Sequence, residues 1–253
     1  MYQYCCENIV LTLMLGFGLG LCGGMLGIGG GLIAIPALGL IYGMDQHTAQ
    51  GTALIMVVPN VLISLLHYHR QNNINGHAVL GVCVIAMAFS YLAGLISKSI
   101  PTRDLEFLFA SFLLVLALFY AFQLWAGRPA SAYLLLPRKY LPLVGAVSGA
   151  MSGIFTVGGG LIIVPVLVSL FGFSQVQAQG IALALVVPGA VAALFSYAQA
   201  GSVEWSTGIA LALGGILSVS WGASLAHSQP VERLQLVFCI VLLGAALMML
   251  FLK

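Results

Sequence analysis

The sequence predicts an all-α, polytopic integral membrane protein made of two homologous halves, and three observations carry that prediction. Of 253 residues, 61% are hydrophobic and only 6% are charged, whereas a soluble domain carries about 25% charged residues. The runs 78–97, 105–126, 205–226 and 234–252 are uncharged apart from Glu106, and about 20 such residues cross a hydrocarbon core of about 30 Å. None of them alternates at period two, as a membrane β-barrel strand does. Sliding the chain by 129 residues aligns 20–68 with 149–197 without a gap and with 21 identities in 49 positions. Such self-similarity marks an internal duplication.

The elements follow in order. The first half offers an apolar run at 9–25, a glycine-rich motif, a short run at 32–42 and the polar stretch GMDQHTAQG. The runs 52–66, 78–97 and 105–126 complete it, and the second half copies the order. The short run of 11 residues spans about 16 Å as a helix, too little to cross a bilayer alone. Read as re-entrant or broken, it leaves eight full spans plus short helices, with parallel halves. Read as a crossing, it makes ten spans as inverted 5+5 repeats. The divisions are an N-terminal repeat at 1–128, a cytoplasmic connecting loop at 129–139 and a C-terminal repeat at 140–253. Arg70, Arg128, Arg138 and Lys139 share one side in either arrangement, opposite Lys98 and Arg103, and the positive-inside rule makes their side cytoplasmic. Arg233 and Lys253 change sides between the two, so charge does not choose. The first basic residue is Arg70, so no basic n-region of a secretory signal is expected. The expected location is the inner (cytoplasmic) membrane.

Composition also excludes. The net charge of +2 comes from cations scattered over short loops, which argues against nucleic acid as a partner. Cys22, Cys83 and Cys239 lie in apolar runs as small hydrophobes, Cys5 and Cys6 are adjacent, and no Cys/His spacing suggests a metal. An intramembrane enzyme needs a nucleophile–base pair or a metal cluster inside the spans, and none is visible. No catalytic residue, metal or cofactor is therefore expected. GLGLCG (Gly18 to Gly23) fits GxGxxG, but it lies inside an apolar run rather than between a strand and a helix, and its second copy loses the pattern.

The triplets Gly29, Gly30, Gly31 and Gly158, Gly159, Gly160, each followed five residues on by Pro36 or Pro165, are different. Three consecutive glycines in mid-membrane break a helix, and non-helical backbone at that depth belongs where it is buried in protein or lines a polar cavity. Freed amides followed by a helix start form an anion-binding arrangement. Matched breaks in two repeats point to a transporter's site. By contrast, Gly16, Gly20 and Gly24, with Gly145, Gly149 and Gly153, have the small-xxx-small spacing of close helix packing.

AQGTALIMVVPN and AQGIALALVVPG add Gln50 and Gln179 as neutral donor–acceptor groups, with Pro59 and Pro188 as further candidate hinges. Thr52, Asn60, Ser152 and Thr156 are uncharged donors in or beside apolar runs. His67, His69 and His77 sit in the polar stretch HYHRQNNINGH. No Asp, Glu or Lys lies well inside a span, which favours anionic or neutral cargo over cations.

The paired motifs GxxGGxxGIGGGxxxxPxL and GxxSGxxTVGGGxxxVPxL, each followed by AQGTAL- or AQGIAL-like text and VVP, resemble the sulfite exporter TauE/SafE family of bacterial membrane permeases over nearly the whole chain. The resemblance implies a secondary transporter of small anions such as sulfite, organosulfonates or other sulfur oxyanions, with small carboxylates, or a passive anion channel, as alternatives. The expected substrate-binding groups are Gly29, Gly30, Gly31, Gln50, Thr52, Thr156, Gly158, Gly159, Gly160 and Gln179. Expected hinges are Pro36, Pro59, Pro165 and Pro188, and the expected partners are a small anionic substrate and the lipid bilayer. A homodimer is left open.

Overall fold

Helix boundaries follow the 129-residue register. The computed structural model describes residues 2–26, 29–71, 76–125, 136–156, 160–173, 175–227 and 231–251. The first half holds α1 (Tyr2–Leu26), α2 (Gly31–Tyr42), α3 (Gln46–Gln71), α4 (Gly76–Ser97) and α5 (Thr102–Trp125). After a 3-10 turn at Arg138–Tyr140 come α6 (Leu141–Phe155), α7 (Gly160–Phe171), α8 (Gln175–Gln199), α9 (Trp205–His227) and α10 (Val231–Phe251). The starts at 31, 46, 76 and 102 reappear 129 residues later at 160, 175, 205 and 231. Described residues are helical apart from short turns, and none is in a strand. Most of the connecting stretch 129–139, together with Gly158 and Gly159, lies outside the described residues.

The segments Gln46–Leu66, Thr102–Phe122, Gln177–Gln199 and Trp205–Leu225 are long and apolar enough to cross a membrane, and shorter apolar helices accompany them. Met14, Phe107, Val115, Phe122, Leu217 and Trp221 are all more than 60% exposed. A rim of large apolar side chains facing outward suits lipid rather than water. The chain is therefore a multi-pass membrane protein.

Packing crosses between the halves. Along one seam Gly16, Gly20 and Gly24 of α1 meet Leu211, Gly215 and Val219 of α9, and along the other Gly145, Gly149 and Gly153 of α6 meet Val82, Ala86 and Ser90 of α4. A methyl group on any of the six would collide with the facing helix, so these glycines are packing positions, as their spacing predicts. Residue numbers rise together along both seams, so each pair is parallel. The Glu204 amide of the α8–α9 turn donates to Thr52 Oγ1 at 3.0 Å, and Asn60 lies against Gly215, which makes α3 parallel to α9 as well. Cys83 Sγ donates to Ala184 O at 3.3 Å and Ser90 Oγ to Gly189 O at 2.7 Å, so α4 and α8 are parallel. Because His47 near the start of α3 bonds Ser97 O at the end of α4, at 3.0 Å, the two trios run in opposite directions. One trio is α1, α3 and α9, the other α6, α8 and α4, and they meet where α3 packs on α8.

The short helix α2 turns back beside α1. The Thr12 and Tyr42 hydroxyls hydrogen-bond; had α2 continued the direction of α1, Tyr42 would lie about 45 Å beyond Thr12 at 1.5 Å per residue. Glycine makes the reversal. Gly29 and Gly30 have φ of +70° and +89°, a region that costs a side chain but not glycine. Leu32, Ala34, Ile35 and Leu38 of α2 are all at most 1% exposed and share a core with Leu19, Met56, Phe109 and Phe155.

All four repeat prolines lie inside helices: Pro36 in α2, Pro59 in α3, Pro165 in α7 and Pro188 in α8. Each withholds one N–H from its own helix. The carbonyl that Pro188 leaves without its helical donor is that of Ala184, which takes the Cys83 thiol instead. Cys239 Sγ likewise donates to Ala117 O at 3.3 Å, so both thiols serve packing.

Candidate functional site

The first glycine break sits half-way along the helices that surround it. Gly29 touches Val57 and Val61, Gly30 approaches Leu19 O and Met56, and Gly31 approaches Val57; residues 57–61 straddle the middle of α3. Gly160 lies over Val186 and Ala182, near the middle of α8. The two breaks meet: a Cβ on Gly31 would stand 3.7 Å from Thr156 O.

Each break exposes a helix end. Gly30 caps α2 with no side-chain hydrogen bond, while its carbonyl accepts from Ala34 N at 3.1 Å and Ile33 N at 3.3 Å. The first amides of a helix have no intrahelical partner, and Gly30 and Gly31 are buried. This end carries the positive pole of α2 without a charged side chain. At the second break α6 ends at Thr156, whose φ of 57° makes it the only left-handed non-glycine among the described residues. Its N–H closes on Ser152 O at 2.9 Å and its hydroxyl donates to Phe155 O at 2.7 Å. The break in the second copy thus begins ahead of its triplet.

Around the breaks lie buried polar groups without full partners. Gln50 is 0% exposed; its Oε1 accepts the Tyr197 hydroxyl at 2.7 Å, and its Nε2 has no partner. Tyr197 Oη also lies 3.0 Å from Ser97 Oγ and 3.4 Å from Ile154 O at the end of α6. One phenol therefore ties α3, α4, α6 and α8 together. Asn60 donates to Gly29 O at 3.3 Å, holding the first break onto α3, while its Oδ1 and Ser152 Oγ are without partners.

The structure thus brings Gly29, Gly30, Gly31 and Thr156 together at the middle of α3, with Gly160 at the matching place on α8; Gln50 lies nearer the start of α3 and is linked to the end of α6 through Tyr197. Thr52 is buried but engaged as an acceptor by the Glu204 amide, and Gln179 is half-buried. His67 and His69 fall in the last turn of α3 and His77 at the start of α4. Tyr197 and Ser97 are the groups sequence reasoning missed. The available signal was the pair Tyr68 and Tyr197, identical in the repeat as Gln50 and Gln179 are. A separate small open cleft lies on the flank of α2, lined by Pro36, Gln46, Glu106 and Met249 among others. No break glycine lines it. Among the described residues no group of three His, Cys, Asp or Glu could hold a metal ion.

Comparison with known proteins supplies the family. The family model described as sulfite exporter TauE/SafE matches residues 12–249. The chain belongs to the sulfite exporter TauE/SafE family. Its relatives include a "Probable membrane transporter protein" of Methanocaldococcus jannaschii, 30% identical over 200 residues that cover 76% of this chain and 73% of the relative. A protein with the same description from Xylella fastidiosa is 25% identical over 254 residues, covering 95% and 94%, and one from Bacillus subtilis is 23% identical over 265 residues, covering 93% and 95%. No solved structure matches the chain. As a TauE/SafE member the protein is a membrane permease.

Proposed function

We propose that this permease is a secondary transporter of small anions, with sulfite, organosulfonates or related sulfur oxyanions as cargo, in the cytoplasmic membrane. The observation that carries the reading is the meeting of two helix breaks at mid-height, where the uncapped start of α2 faces the end of α6 beside the unpartnered amide of Gln50. The amides of Gly29, Gly30, Gly31 and, in the second copy, Gly158, Gly159 and Gly160 take the anion's oxygens, with Gln50 and Gln179 adding neutral donors. The hydroxyls of Thr52 and Thr156, already bonded to backbone, help shape the walls. An anion held by dipoles can leave again, whereas a buried Arg is costly to place in a bilayer.

The opposite directions of the two trios support the inverted arrangement of the repeats. It differs from both span counts read from the sequence: α1–α2 and α6–α7 turn back as hairpins, and three helices cross in each half. Arg70, Arg138, Lys139 and Arg233 then share the cytoplasmic side. Because α1 packs on α9 and α6 on α4, the bodies that rock in alternating access are these mixed trios, sliding at α3–α8. Pro36, Pro59, Pro165 and Pro188 weaken the helices where they must flex.

Ligand-dependent thermal stability of the detergent-purified protein tests the reading, since specific binding stabilises the folded state with occupancy. Sulfite and alkanesulfonates are expected to raise Tm in a saturable way, with chloride inert. Stabilisation by small carboxylates alone moves the substrate class to carboxylates, and no stabilisation by any anion contradicts the proposal.

A further inference from the structure

We propose that Tyr197 is a positioning residue that fixes which end of the Gln50 amide the cargo meets, and thereby selects oxyanions that carry no O–H. The inference rests on the anion-transport reading above and deepens it. A glutamine side chain has an accepting and a donating end, and in a symmetric pocket it can turn to suit either kind of ligand. Here it is tied. The Tyr197 hydroxyl donates to Gln50 Oε1 at 2.7 Å, much closer than the alternative acceptor Ile154 O at 3.4 Å, which leaves the phenol oxygen free to accept from Ser97 Oγ, 3.0 Å away. All three side chains are at most 1% exposed, so water does not compete for these bonds.

With Oε1 held by the phenol, the NH₂ group faces the other way, and it has no partner. A buried NH₂ left unpaired is unfavourable, and the ligand that satisfies it is one that only accepts. A sulfonate or fully ionised sulfite oxygen does so. A P–OH or other protonated oxygen sets hydrogen against hydrogen there, so such an anion must turn an unprotonated oxygen to the amide and place its O–H among the break amides, which also only donate. The repeat carries the same two residue types, since Tyr68 and Gln179 stand 129 residues from Tyr197 and Gln50 in the sequence.

The test compares methanesulfonate with methylphosphonate at a mildly acidic pH where both are monoanions, alike in shape and charge but differing by one O–H. Proteoliposomes preloaded with unlabelled methanesulfonate take up labelled methanesulfonate by counterflow, and methylphosphonate is added as competitor. The wild type should prefer methanesulfonate by about tenfold or more, the usual scale for one unmade buried hydrogen bond. In Tyr197→Phe the amide can turn, so the preference should fall toward unity while methanesulfonate uptake stays within a few-fold. A merely structural role would weaken both anions alike, and an unchanged preference in Tyr197→Phe overturns the proposal, as does a wild type with no preference. Should Tyr197→Phe fail to fold, Gln50→Met removes both ends of the amide and should also abolish the preference; its persistence overturns the proposal equally. No counterflow from folded wild-type protein with either methanesulfonate or sulfite defeats the transport reading itself, whereas counterflow with an unaltered preference defeats only the role of Tyr197.

Discussion

Thr156 is the residue whose backbone says most about the site. A β-branched side chain in the left-handed region costs about 1–2 kcal/mol, and Gly27 occupies the matching place in the first copy. Thr156→Gly should therefore be neutral or stabilising by up to about 1 kcal/mol in thermal unfolding, with the lost hydroxyl bond to Phe155 O offsetting part of the gain. Gly30 is the reverse case. Its φ of +89° and the approach of Leu19 O, 2.7 Å from where a Cβ would sit, predict that Gly30→Ala destabilises by about 1–3 kcal/mol. A Gly30→Ala protein as stable as wild type would show that the turn between α1 and α2 is made differently.

At the scale of elements, the glycine seams decide the assembly. Gly20 of α1 lies against Gly215 and Ser218 of α9, whereas Gly18, two residues away, has nothing within 4 Å. Gly20→Leu should force the helices apart and lower the yield of folded, monodisperse protein in detergent severalfold, while Gly18→Leu should leave it unchanged. These seams were legible in the sequence, because small residues at every fourth position describe one face of a helix without reference to anything distant. The short helices at 31–42 and 160–171 were legible too, from their length between glycine motif and polar stretch. What stayed hidden was non-local. Nothing in the text around Tyr197 says that it reaches Gln50, 147 residues earlier, or that Thr52 turns to the Glu204 amide rather than to the site. Both depend on α8 and α9 crossing to the other half's helices, a pairing that apolar periodicity does not encode.

At the scale of the whole molecule, the sequence left the orientation of the halves open because its cations divide five against three either way. The parallel pairs α1–α9 and α4–α6, with the start of α3 bonded to the end of α4, support the inverted arrangement proposed above. The inverted arrangement predicts that single cysteines in the 126–137 connection and near Arg70 and Arg233 are labelled from the cytoplasm, and one beside Lys98 from the outside. Labelling of the Arg233 and Lys98 positions from the same side would contradict it.

The central claim is that two helix breaks form one anion site reached alternately from the two faces, and counterflow measures it most directly. Proteoliposomes holding the purified protein and preloaded with unlabelled sulfite should accumulate labelled sulfite transiently above equilibrium, and Gly31→Val, whose side chain would press on Val57 beside the Thr156 carbonyl, should abolish the overshoot in folded protein. Equilibration without overshoot in the wild type, or an undiminished overshoot in Gly31→Val, would contradict the account.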